Sequence, residues 1–298
     1  MREFRYIVTK EDEGASIKRL LRHHFDFSSR LFAKLKAQKL VFLNDEPLEG
    51  WMNPVEGDVI TAKMPEETSH FEEEDIPIYP VYEDQDLLII NKQAGYIVHP
   101  TKGHPVHTLA NGVMKYMREQ GESYKIRFVN RLDMDTTGLL IIAKNSHAQD
   151  DLTKQMKSGS LDKYYIAVVN GIVDQDEFTV NLPIGKVDPE KVARGVMPEG
   201  EGRPSITHVK VKERYAKGYT LVELKLETGR THQIRVHMSH LGHPVVGDYL
   251  YGGNNPWLID RQALHAYKLE FKHPGTGKPM SVTAPLPADI KKVIEEVS

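Results

Sequence analysis

Apolar residues fall along this chain in short runs more often than in long helical stripes, so the pattern predicts many strands. Leu139 to Ala143 is an unbroken apolar run of strand length, which suits a strand covered on both faces. Leu87 to Ile90 reads the same way. In the stretch 219–227, Val222, Leu224 and Leu226 alternate with Glu223, Lys225 and Glu227, giving one buried and one wet face. Lys163 to Val169 is a strand with Tyr165, Ala167 and Val169 on one face, and further strands are expected near 4–9, 40–43, 59–60, 207–212, 264–271 and 280–284. Helical spacing is found in six places. Ile17, Leu20, Leu21 and His24 follow Ser16 as N-cap, and Leu31, Phe32 and Leu35 follow Ser28 or Ser29. Residues 108–119 are amphipathic, and Ala148, Leu152 and Met156 follow a Ser146 cap. Ile234, Met238 and Leu241 lie between Thr231 as N-cap and Gly242 as the terminating glycine, and 290–297 closes the chain. Strands joined mainly by hairpin-length connections, with helices between them, predict an α+β fold with a mixed, largely antiparallel central sheet flanked by helices and loops.

Charge divides the chain. Seven basic residues and one acid lie between Ser16 and Lys39, whereas six acids and no lysine or arginine lie between Glu66 and Asp75. We therefore expect a small α/β module over 1–64, an acidic linker over 65–77 and a larger domain over 78–298. The net charge of −3 does not mark a nucleic-acid binder, but polyanions respond to local potential. Arg19, Arg22, Arg30 and Lys34 would form the phosphate-facing side of the module. Ser29-Arg30, Gln38-Lys39-Leu40-Val41, Leu43-Asn44-Asp45 and Gly57-Asp58-Val59-Ile60 resemble the α-L RNA-binding module first named from a small-subunit ribosomal protein. A glycine is common there after the second helix, and Gln38-Lys39 stands in its place.

The chain has no cysteine, which excludes disulfides, thiolate metal sites and cysteine nucleophiles. Two histidine groups, His99/His104/His107 and His232/His237/His240/His243, lack ligand spacing, so no metal is expected. With no signal-peptide core and no apolar run near the length of a membrane span, a cytoplasmic location is expected.

Two charged turns carry the candidate chemistry. Asn130 to Gly138 is polar, holds Arg131, Asp133 and Asp135, and runs directly into the apolar strand, which would place ionisable groups at the rim of a core. Asp135 is read as a loop-stabilising carboxylate. Thr228-Gly229-Arg230-Thr231 leaves another strand and precedes a helix. A guanidinium at a helix N-terminus is awkward for the dipole unless an anion shares the spot. Lys186 to Pro204, with Arg194 and Arg203, is expected to be a long irregular basic insertion.

Arg131-Leu132-Asp133 with Thr136-Thr137-Gly138-Leu139-Leu140, then Lys163-x-Tyr165-x-Ala167, then Thr228 to His237 in the order Thr-Gly-Arg-Thr-His-Gln-Ile-Arg-Val-His, resemble the RluA-type pseudouridine synthases. With the N-terminal module the chain is similar to their RluD-like subgroup. Asn130 replaces a frequent histidine and Gln93 a frequent proline. The resemblance implies an isomerase that detaches uracil from its ribose, turns it and rejoins it through carbon. It implies Asp133 as nucleophile, Arg230 as its ion-pair partner and Tyr165 as the ring packed on the base. Arg131, Arg194, Arg203 and Arg235 would hold the RNA backbone. No cofactor is expected. The partner would be RNA, ribosomal RNA ahead of transfer RNA, acted on by a monomer with no membrane. Two other readings compete. One is a hydrolase using Asp133 and Asp248 as paired carboxylates. The other is an RNA-binding factor without catalysis.

Overall fold

The computed structural model describes residues 2–298 apart from Lys102 and Pro189. The N-terminal part lays two helices, Ile17–Phe25 and Ser29–Ala37, on a four-stranded antiparallel sheet in the order Glu3–Ile7, Val59–Lys63, Val41–Leu43, Glu46–Pro47. Ser16 and Ser28 accept the backbone N–H of Arg19 and Leu31, so each helix starts on a serine cap. Leu20, Leu21, Phe27, Leu31, Leu35, Val41 and Ile60 form its core. Lys39 adopts φ +55, the left-handed conformation that makes glycine common at this turn. The side chain there costs about 1–2 kcal/mol.

This part rests on the larger one through Arg2, whose Nε lies 3.1 Å from Asp86 Oδ1, and through Phe4 and Phe27, both packed on the His147 ring. The acidic stretch that follows Met64 has no regular structure, yet it is not a free tether. Several of its acids pair with the larger part: Glu67 with Arg127 as well as with Lys34 of the N-terminal part, Glu73 with Arg118 and Asp75 with Lys115, while Ile76 is buried.

The large sheet has ten strands. Its main path runs Glu177–Asn181, Ile206–Tyr215, Tyr219–Leu226, Asp162–Asn170, Leu264–Lys272, Thr137–Ala143, Leu87–Lys92, Pro80–Glu83. Pro279–Thr283 pairs with Leu264–Lys272, and Arg127–Phe128 with Thr137–Ala143. Every pairing is antiparallel except that of Leu264–Lys272 with Thr137–Ala143, which runs parallel for two residues only, His265 opposite Thr137 and Ala266 opposite Gly138. Beyond that contact the two strands part, and Leu139, Ile141, Leu152, Leu269 and Phe271 fill the wedge beneath the helix Ser146–Ser158. That helix is capped by the Asn145 side chain, not by Ser146. Asn and Ser are equivalent caps, so the pattern could not choose between neighbours.

The segment expected to be irregular after Lys186 contains instead a small hairpin, Ile184–Lys186 against Arg194–Val196, and the second of these strands packs on the helix Gln233–His240. Gly185 lies opposite Gly195, which removes the side-chain signal that marks a strand. No helix among the described residues is long and apolar enough to cross a membrane.

Candidate active site

The site is built where the sheet splits. Gly138 has φ +114, and a Cβ on it would lie 2.2 Å from the Ala266 carbonyl oxygen, so only glycine lets the strand Thr137–Ala143 start this close to its parallel neighbour. Across the other side of Leu264–Lys272, Ala266 faces Tyr165. Gly138, Ala266 and Tyr165 thus stand in a row across three strands, and the loop leading into Gly138 carries Asp133 to Tyr165. Tyr165 is buried, and burial followed by the nearby Asp133 charge pushes its hydroxyl well above the usual range.

The Asp133 loop is held from several directions. Its chain reverses through a Thr136 N–H donating to the Asp133 carbonyl at 3.1 Å. Lys92, 1% exposed and opposite Gly138 in register, donates to the carbonyls of Met134 at 2.6 Å, Thr136 at 3.0 Å and Gln93 at 3.0 Å. Burial pulls the Lys92 ammonium down to about 7, against the charges of Asp135 and Asp133. Arg261 donates to the Asp135 carbonyl at 3.0 Å while gripping Asp289 with two nitrogens at 2.7 and 2.9 Å. Gln262 donates to Thr136 Oγ1. Asn130 fastens the loop's first residue to the strand, donating to the Leu139 carbonyl and accepting the Ile141 N–H. Asn130 is therefore occupied with the strand.

The guanidinium that meets Asp133 is Arg235, not Arg230. Arg235 Nη1 lies 3.2 Å from Asp133 Oδ2, while its Nε and Nη2 grip Asp248 at 2.6 and 2.9 Å. Arg230 points elsewhere, donating through Nε to the Pro204 carbonyl at 3.1 Å. The reason is local. The helix begins at Gln233, one residue later than expected, after His232 takes φ +58. Gln233 accepts from the Arg230 N–H and the Thr228 hydroxyl and donates to the Ile206 carbonyl and Thr207 Oγ1, tying the turn down so that Arg230 faces its outer side. Residues 233–238 are all buried, which turns Arg235 inward on the first turn.

Asp248 is fully buried, at 0% exposure, and both its oxygens are taken by Arg235. It is delivered by a turn at Gly247, φ +77, where a Cβ would lie 2.1 Å from the Arg261 carbonyl oxygen. Burial works against the Arg235 charge, but Asp248 and then Asp133 hold it firmly protonated. A carboxylate in the grip of a buried fork is not available to activate water, so Asp248 is unsuited to the paired-carboxylate hydrolase role. Asp133 differs: its side chain keeps 20% exposure, so one face is fixed by Arg235 and another is open.

A second layer surrounds this pair. Tyr251 lies under the Arg235 guanidinium, 5.1 Å from its ring centre. Its hydroxyl accepts the Arg194 N–H at 2.8 Å and lies 2.8 Å from His232 Nδ1. With the hydroxyl proton given to Nδ1, the neutral ring carries its own proton on Nε2, which lies 3.9 Å from Asp133 Oδ2. Burial lowers the His232 pKa and the Asp133 charge opposes it.

Of the expected RNA contacts, Arg131 and Arg203 are exposed, and Arg194 is half-buried with Nη1 lacking a hydrogen-bond partner. Arg19, Arg22 and Arg30 are exposed on the N-terminal helices, whereas Lys34 is drawn 3.2 Å from Glu67. The groups that sequence reasoning did not assign are Lys92, Arg261, Gln233, His232 and Tyr251. The only hint for Lys92 was a lysine ending an apolar run. Asp84, Asp86 and His273 lie close enough together to suggest a metal, but their hydrogen bonds argue otherwise. His273 Nδ1 accepts two backbone N–H groups, which leaves Nε2 to donate to Asp84 at 2.8 Å. Asp84 holds its carboxyl far below the usual range through this bond and two backbone donors, although burial opposes it.

The family profile described as RNA pseudouridylate synthase matches residues 86–240, the span that holds Lys92, Asp133, Tyr165 and Arg235. The chain is 41% identical over 247 residues to the uncharacterized RNA pseudouridine synthase YlyB of Bacillus subtilis, covering 81% of this chain and 80% of the relative. It is 39% identical over 279 residues to the ribosomal large subunit pseudouridine synthase D of Neisseria meningitidis serogroup A, covering 89% and 74%. Among solved structures, human RNA pseudouridylate synthase domain containing 1 superposes with a TM-score of 0.58 at 27% identity, over 78% of this chain and 97% of that one.

Proposed function

The chain belongs to the RNA pseudouridylate synthase family and is a pseudouridine synthase, and from that premise we propose that Asp133 is its nucleophile, acting on uridines of large-subunit ribosomal RNA in the cytoplasm as a monomer. The observation that carries the assignment is the chain of contacts Asp133–Arg235–Asp248. A buried carboxylate fixes a guanidinium, and the guanidinium fixes one oxygen of a carboxylate that remains partly open. Arg235 thereby takes the pairing role first expected of Arg230.

The target base is stacked in RNA and must be turned out before its glycosidic bond can be reached. Tyr165, buried beside Asp133, offers its ring to the uracil. The isomerisation breaks the bond from ribose C1′ to N1 and forms one from C1′ to C5. C5 loses a proton and N1 gains one, so the mass is unchanged. Arg235 holds one oxygen of Asp133 and aims the carboxylate at one point, a positioning effect of the kind that supplies much of enzymatic rate. Large-subunit ribosomal RNA is preferred over transfer RNA because the Neisseria relative is a ribosomal large subunit pseudouridine synthase and because Arg19, Arg22 and Arg30 stand exposed on the N-terminal helices.

The test is to map pseudouridines in total RNA from cells with the wild-type gene, without it, and with Asp133→Ala. The expected result is one or a few ribosomal sites lost in both deficient strains. Sites that persist with Asp133→Ala refute the nucleophile, and losses confined to transfer RNA refute the substrate.

A further inference from the structure

Lys163 has no part in the chemistry described above, yet its setting is unusual. It lies two residues before Tyr165 on the strand Asp162–Asn170, so both side chains project from one face of the sheet. It is 8% exposed, and its ammonium has no hydrogen-bond or ion-pair partner among the described residues. It reaches under the turn that precedes the Arg235 helix: a Cβ built on Gly229 would lie 3.5 Å from its Nζ. The next residue is Arg230, whose Nε is tethered to the Pro204 carbonyl while its two terminal nitrogens have no partner among the described residues.

Two cations therefore share one turn. The acids adjacent in sequence, Asp162 and Glu227, are paired with other groups. Asp162 is on the opposite face and pairs with Lys225 at 2.8 Å, and Glu227 pairs with His208 at 2.6 Å. Burial and then the Arg230 charge press the Lys163 pKa down, and the Asp162 charge offsets them only in part. Buried charges are normally paired, because desolvation without compensation is costly. A lysine held this way, beside an arginine fork, fits a tetrahedral anion with several acceptor oxygens better than it fits a carboxylate.

We propose that Lys163 and Arg230, with the Gly229 turn between them, form a subsite for one RNA phosphodiester next to the everted uridine. The subsite rests on the reading of the protein as an RNA-modifying enzyme, and it gives Arg230 a role in place of the pairing with Asp133. The alternation of the strand sets its position one step along from the ring that receives the base. A phosphate clamped there would hold the sugar of the target nucleotide in line with Asp133.

The probe is a uridine-containing RNA stem-loop, bound to the full chain and titrated with salt. Each phosphate contact contributes about 0.7–0.9 to the slope of log affinity against log salt. Lys163→Met should lower the slope by about one contact and weaken binding at least fivefold, with Lys163→Arg restoring most of both. Neutral methylphosphonate linkages are then placed singly through the loop. At one position the loss seen with wild type should vanish with Lys163→Met, since the contact is already gone. Melting temperatures of the two variants report on folding. A salt slope unchanged in a folded Lys163→Met, or no linkage whose effect depends on Lys163, overturns the subsite. Binding without pseudouridine formation by the wild type refutes the isomerase reading but leaves this test intact, and absence of salt-dependent binding overturns both.

Discussion

The Asp133 rim and the basic face of the N-terminal helices are both rich in charge, and they use it in opposite ways. At the rim the charges that fix the site have partners: Asp248 for Arg235, Arg235 for Asp133, Asp289 for Arg261, three carbonyls for Lys92. Arg235, Asp248, Arg261 and Lys92 are largely dehydrated, so leaving one of their contacts unmade is expensive. On the helices, Arg19, Arg22 and Arg30 stand in water beside capped, conventionally packed elements. Their charges are unspent and screened by salt. The difference separates a surface that fixes geometry from one that collects a polyanion, and substitutions should fall into two classes accordingly.

The steepest effect is expected at Arg235. Arg235→Gln leaves Asp248 buried and unpaired, which should cost about 3–5 kcal/mol in urea unfolding. Arg235→Lys keeps a charge but loses the fork that spans two carboxylates. It should fold, and its rate of pseudouridine formation should drop about 100- to 1,000-fold. Wild-type turnover in Arg235→Lys would mean that the bidentate geometry is incidental and that the rim is no different in kind from the helices.

Lys92 comes next and tests stability instead of chemistry. Lys92→Met strands three carbonyls and should destabilise by several kcal/mol, about 1–3 for each acceptor left without a donor. The pH dependence has a definite sign. Burial depresses the folded pKa to about 7, while the unfolded chain titrates near 10.4, so between those values the unfolded state binds the extra proton. Wild-type stability should therefore rise with pH across that window relative to Lys92→Met, and be lowest relative to it below pH 7. Unfolding curves at pH 7, 8.5 and 10 measure the gap; a gap that narrows on going alkaline means the ammonium is not dehydrated.

Much of this contrast could be read in the chain before any coordinates. Short apolar runs located the sheet, serine caps located the two basic helices, and the polar loop ending in Gly138 located Asp133 at a strand rim. What escaped was the matching of partners through space. Arg230 and Arg235 differ by five residues, and choosing between them needs the true start of the helix, which a left-handed His232 delays. The apolar spacing of Ile234, Met238 and Leu241 implied a polar outer face. In fact residues 233–238 are buried all round while Leu241 is 39% exposed, so periodicity had no means of pointing Arg235 inward. Lys92 depends on register, since only its position opposite Gly138 brings it beneath the loop carbonyls. The hairpin Ile184–Lys186 with Arg194–Val196 was hidden by its glycines and becomes a strand pair only against the helix it covers.

The mildest effect is expected on the helices, and it tells whether the second region acts as a collector. Replacing Arg19, Arg22 and Arg30 together by Gln removes three exposed charges without touching the Leu20, Leu21, Leu31 and Leu35 core, so melting should shift little. If all three meet phosphates, the salt slope for a long ribosomal RNA fragment should fall by about 2–3, with affinity near physiological salt down about tenfold or more. On a stem-loop too short to reach the module the difference should shrink to within about twofold, because the basic face sits on its own sheet and touches the larger part through Arg2, Phe4 and Phe27, away from Asp133. An equal loss on both substrates would place these arginines at the target nucleotide itself. The two regions would then be one continuous surface, and the division between fixing and collecting charge would fail at its weaker end.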